Sequence, residues 1–153
     1  MNARADVLSY SSAPLEAPVE VTGRIRASLW VASDAPDTDF TAKLIDVYPN
    51  GRALNLADGE IRARYRKSFE KPEMMKPGTV YRMTIDLGST SNLFGAGHRI
   101  RVDISSSSFP KFEPNSNTGE AAGAWTHQVM AHNTVYHEAK RASYIELPLM
   151  PKQ

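Results

Sequence analysis

The chain has 153 residues, 41% of them hydrophobic and 23% charged, with a formal net charge of +1. That fits one domain around one core and gives no general attraction to nucleic acid or anionic membrane. Cysteine is absent, which excludes disulfides, thiolate catalysis and cysteine-ligated metals and fits a reducing compartment, with the cytoplasm favoured.

Residues 1–18 read as an irregular lead-in with one short edge strand around Val7, Leu8 and Tyr10, ahead of a β-sandwich domain over 19–151. Met1–Asp6 lacks the apolar segment of a signal peptide, and no run approaches the ~20 apolar residues of a membrane span. From Val19 the odd positions are apolar through Val31, while Glu20, Thr22, Arg24, Arg26 and Ser28 alternate with them. This period of two predicts a long strand with one wet face, and Gly23 suggests a bulge or bend within it. Ser33–Asp39 is a turn cluster. Phe40–Tyr48 is apolar on both faces apart from Lys43 and Asp46, which predicts an interior strand. Pro49-Asn50-Gly51 is a hairpin turn, since Asn and Gly tolerate positive φ. Asp58-Gly59 reads as a second turn, followed by a strand over Glu60–Phe69 with Arg62, Arg64 and Arg66 on one face.

Lys71–Gly78 reads as a loop. Thr79–Leu87 places Tyr81, Met83, Ile85 and Leu87 inward. Gly95 and Gly97 mark a tight turn, after which Ile100, Val102 and Ile104 alternate with Arg99, Arg101 and Asp103. The serines 105–108 run into Phe109-Pro110, and Asn115–Gly119 is a polar turn. Residues 120–132 read as a loop, and Asn133–His137 and Ser143–Leu149 as two closing strands. Seven or eight short strands without crossover helices predict an all-β, mostly antiparallel sandwich with Greek-key or jelly-roll connections.

No catalytic, cofactor-binding or metal-binding residues emerge. The G-x-S-x-G nucleophile elbow does not occur, and Ser105–Ser108 have no local base, so backbone bonding is the favoured role. His127, His132 and His137 are spaced by five, which converges on a metal neither on a strand nor on a helix. His98 is expected to bond the turn that precedes it. Asp34, Asp37 and Asp39 could hold Ca²⁺ or set Asx-turns, and turn-setting is favoured without a bidentate Glu nearby. Arg62, Arg64 and Arg66, with Arg82, Arg99 and Arg101 beside them, would make an anion or nucleic-acid stripe or a solvated face of cross-strand ion pairs. Interleaved acids such as Asp86 and Asp103 favour the ion pairs. Tyr65 and Tyr81 fall on core faces, which leaves Trp30 and Trp125 as candidates for a sugar-stacking platform.

Four ordered stretches carry more information than periodicity. They are SDAPDTDFTAKLIDVYPNGRALNLADGEIRARYR, PGTVYRMTIDLGSTSNLFGAGHRIRVDISSSSFPKFEPNSNTG, NTVYH and SYIELPL. Together they resemble the C-terminal domain of the X-Pro dipeptidyl-peptidase, cocaine esterase, glutaryl-7-aminocephalosporanic acid acylase and α-amino acid ester hydrolase family, over Val7 to Pro151. The resemblance implies a jelly-roll sandwich of the galactose-binding-domain-like type. It also implies packing against an α/β-hydrolase domain that carries a Ser-Asp-His triad, in cis or in trans. No position here matches that triad, and no cofactor is implied. The chain resembles the later part of that domain, from about Asp6, so an earlier strand or two and a covered edge in a homo-oligomer are expected. The expected role is a non-catalytic domain that supports the active-site cleft and oligomer contacts. A stand-alone carbohydrate-binding module and a subunit for a separately encoded hydrolase are the alternatives.

Overall fold

The computed structural model describes residues 4–151. Residues 1–3 of the expected lead-in lie outside the described residues. Eight strands follow in order: β1 (Leu8–Ser11), β2 (Val19–Ser33), β3 (Asp39–Val47), β4 (Ala53–Arg62), β5 (Tyr81–Phe94), β6 (Arg99–Ser105), β7 (Asn133–Tyr136) and β8 (Tyr144–Glu146). They form two antiparallel sheets, one ordered β1-β6-β3-β4 and the other β5-β2-β7, with β8 also pairing β2. The architecture is a β-sandwich, and among the described residues there is no α-helix. Hence none is long and apolar enough to cross a membrane.

The core lies between the sheets. Val21, Ile25, Ala27, Leu29 and Val31 of β2 meet Phe40, Ala42 and Leu44 of β3, with Met83, Ile85 and Leu87 of β5 and Ile104 of β6. These are the alternating apolar positions, turned inward because a pleated strand shows every second side chain to one face. β3 is interior to its sheet, between β6 and β4. It is buried on its outer face too, where Asp39 and Thr41 lie under residues 105–115.

Four local expectations are corrected. Gly23 stays in the ladder opposite Thr90 without a bulge, and its φ of 139° lets the backbone pass Pro148. The β2–β5 register shifts instead at Ile25/Arg26, where Leu87 is the extra residue. Asp58-Gly59 is mid-strand, opposite Lys43 and Ala42. Glycine is required at 59 because a Cβ there would lie 2.0 Å from the Asp86 carbonyl oxygen, so β4 and β5 touch backbone to backbone. Beyond Arg62 the chain leaves the sheet for a 3₁₀ turn, Ala63–Tyr65, which buries Arg64 and leaves Phe69 exposed. Finally, β5 runs on past Leu87 to Phe94.

The two long sides of the sandwich differ. Gly59 seals the β4–β5 side. On the other side a cavity of about 280 Å³ opens between the β1 edge and β7–β8, lined by core residues such as Ala27, Leu29 and Ile104 and by Tyr10, His137 and Tyr144. Tyr10 and His137 meet across it edge to face, 6.0 Å between ring centres.

Candidate functional site

The antiparallel order sorts the connections onto two ends. At one end lie the β1–β2 connection 12–18, the hairpin turn 48–52 and the turn 95–98. At the other lie 34–38, 63–80 and 106–132, the long connections. The long loops are the candidate working surface, because loops positioned on a rigid scaffold carry most recognition.

An ion-paired knot holds them. Asp37 is fully buried, and its carboxylate accepts the Arg64 backbone N–H at 2.9 Å, the Arg64 Nε–H at 2.7 Å and the Asn115 side-chain amide at 2.9 Å. Asp39 sits directly opposite Arg62 in the β3–β4 register and takes its guanidinium bidentately, both contacts 3.0 Å. Asn115 also donates to Asp39, at 2.8 Å. The arginines then reach the third loop: Arg62 donates to the Glu113 carbonyl at 2.9 Å and Arg64 to the Glu120 carbonyl at 2.7 Å. Paired charges of this kind are stable in a dry site only when their remaining donors and acceptors are filled, as here.

Outer ties complete the platform. Met75 N–H donates to the Pro36 carbonyl and Gly78 N–H to that of Ser33, both at 2.8 Å. His132 donates its backbone N–H to Asp34 at 2.8 Å, and its Nδ1 lies 2.7 Å from the same carboxylate. The backbone bond, then the ring contact, hold the Asp34 carboxyl below its usual range. Asn117 sits at φ 63° and donates to the Val129 carbonyl at 2.8 Å. Burial, aided by the charge of Asp39 and opposed by that of Arg62, pushes the Glu60 carboxyl up to about 7.

The carboxylates of Asp37 and Asp39 therefore bond residues distant in the chain and set no Asx-turn. The carboxylates of the acidic loop are consumed by Arg62, Arg64 and His132. No group of three His, Asp or Glu side chains placed to hold a metal occurs among the described residues. The arginine stripe is dispersed. Arg66 pairs with Glu73 and lies over the Tyr81 ring, Arg82 bonds Ser28 and Tyr144, Arg99 bonds the Ser12 carbonyl, and Arg101 pairs with Asp103.

The histidines also separate. His98 donates its backbone N–H to the Gly95 carbonyl of the turn at 3.1 Å, while its ring bonds the buried Asp46 carboxylate at 2.8 Å and lies 4.3 Å from that of Tyr48. His127 lies 3.8 Å from Glu120. Ser105 bonds Thr41, and Ser106 accepts from Asn133. Among the described residues, no serine hydroxyl bonds a histidine. Trp30 is half-buried in β2, and Trp125, 37% exposed, forms no ring–ring pair among the described residues. Sequence reasoning missed the Asp37–Arg64 pair. A signal existed: folding about Asn50-Gly51 sets Asp39 against Arg62, which brings the second acid near the second arginine.

Residues 1–146 match the model of the X-Pro dipeptidyl-peptidase C-terminal non-catalytic domain. The chain belongs to this family. It is 47% identical over 151 residues to the cocaine esterase of Rhodococcus sp. (strain MB1 Bresler), covering 97% of this chain and 26% of that protein. The fold superposes on an aminopeptidase from a marine sediment archaeon, Thaumarchaeota archaeon, with a TM-score of 0.92 at 29% identity, over 97% of this chain and 26% of that one. An α-amino acid ester hydrolase structure gives 0.89 at 29% identity, with the same coverage of 97% and 26%. This PepX C-terminal domain thus spans about a quarter of the relatives it matches, as an accessory domain does. The resemblance read from the four sequence stretches holds.

Proposed function

We propose that this domain serves a serine hydrolase that cleaves esters or amides, with the chemistry done by an α/β-hydrolase domain carrying the nucleophile. The sandwich of 19–151, with 1–18 as its lead-in, packs on that domain in cis or in trans, supports its active-site cleft and contributes to oligomer contacts. A jelly-roll connection of the galactose-binding-domain-like type is part of this reading. The observation that carries it is the coverage: nearly the whole chain aligns at 47% identity with about a quarter of an esterase. Asp37, Asp39, Asp46, Arg62, Arg64 and His98 are tied up in structural pairs, which supports the same division of labour.

The test is a fusion. This chain replaces the matching quarter of the Rhodococcus cocaine esterase, and hydrolysis of an ester substrate is compared with that of the esterase lacking the quarter. The fusion should regain activity, and the isolated chain should show no turnover. Turnover by the isolated chain would refute the proposal.

A further inference from the structure

We infer that the long-loop end is the face that docks on the catalytic domain. The inference rests on the function proposed above and adds to it the surface and its chemistry. On these loops Phe109, Met130 and Phe69 are 72%, 83% and 85% exposed, and Met74, Trp125 and Val129 are exposed as well. Aromatic residues and methionine are the types enriched in the buried centre of interfaces. Large apolar groups this exposed mark interaction sites when they gather in one region.

These side chains do not hang from loose loops. Asn117 and Ser116 bind the backbone of Val129, next to Met130. Lys111 is tied to Asp58, next to Phe109, and Arg66 holds the loop that carries Met74. A surface fixed before contact loses little entropy on binding, which favours its use as an interface. Its buried charges are matched within the chain, Asp37 with Arg64 and Asp39 with Arg62, and Glu73 pairs with Lys67 and Arg66. Glu70, Lys71, Lys76 and Glu113 form no ion pair among the described residues but balance in sign, so the face carries no net charge from them and the complementary patch on the hydrolase is mainly apolar without a dominant charge.

Size points the same way. About three-quarters of each relative lies outside the matched part. A standard interface uses roughly 20–30 residues on each side. The loops 34–38, 63–80 and 106–132 can supply that number, whereas the opposite end has only the shorter segments 12–18, 48–52, 95–98 and 147–151. The opposite end exposes Leu93, Leu149 and Met150, but no aromatic residue joins them in that hollow.

The cocaine esterase fusion tests this with two double variants. Phe109→Asp with Met130→Asp alters the long-loop end, and Leu93→Asp with Leu149→Asp alters the other. The first should shorten the half-life of fusion activity about tenfold or more. It should leave the urea midpoint of the isolated chain unchanged, because both side chains are already exposed. The second should leave the fusion unaffected. Equal loss from both, loss only from the second, or no loss from either would overturn the docking face while an active unaltered fusion still upheld the proposed function. An unaltered fusion no more active than the truncated esterase would overturn that function and the inference with it.

Discussion

The two ends of the sandwich solve the same problem by different means. At the tight end, strands reverse through 48–52 and 95–98, braced by backbone bonds of the turns and by the His98 ring against Asp46. At the long-loop end, three loops leave the sheets and return over the outer face of β3, and a buried network of Asp37, Asp39, Arg62, Arg64 and Asn115 holds them. Short turns are stabilised by the strands they join. Long loops carry backbone groups that no strand satisfies, so side chains must do it. Buried charge in this fold is therefore concentrated at the end that carries the long loops.

Breaking the network should have the largest effect. Arg64→Ala leaves Asp37 as an uncompensated buried carboxylate and should cost about 3–5 kcal/mol, measured by urea unfolding. Replacing both partners, Arg64→Met with Asp37→Leu, should cost much less, since no charge is stranded. If the single change costs no more than the pair, the network is not what holds the loops.

The tight end should be less sensitive. His98→Ala removes a bond to the buried Asp46 carboxylate, whose other side-chain partner is Asn92 at 3.4 Å. A loss of about 1.5–3 kcal/mol is expected, again from urea unfolding. A loss equal to that of Arg64→Ala would erase the contrast between the ends.

The smallest effect sharpens the comparison through pH. Glu60 lies beside the network, and its carboxyl is raised from 4.5 to about 7 in the folded chain. Between these values the folded chain keeps a proton that the unfolded chain has lost. Stability is therefore fully supported below about pH 4.5 and falls as pH rises towards 7. Because Glu60 is only half-buried, solvent screening holds the fall to about 1 kcal/mol. Glu60→Gln should flatten this slope and make the variant the more stable protein at pH 8. Urea midpoints at pH 5 and pH 8 check it, and an unchanged slope would remove Glu60 as its source.

Much of the scaffold was legible because alternation reports one buried and one wet face. β2, β5 and β6 follow it, and the Asn50-Gly51 turn was visible in its own residues. The site was less legible because charge alternation has two physical meanings. Arg62 and Arg64 look like a solvated strand face, yet each is matched by an acid more than twenty residues away and covered by a loop. Asn115, which joins both acids, is farther still along the chain. Gly59 misled in the same way. A glycine after Asp suggests a turn, but its role is to admit the β5 backbone, which no local pattern encodes.

Hydrogen–deuterium exchange on the isolated chain and on the cocaine esterase fusion tests the central claim most directly. Fusion should slow exchange at backbone amides of 66–80 and 106–132 and leave 48–52 and 95–98 unchanged. Protection confined to those two turns, with the long loops exchanging as before, would contradict it.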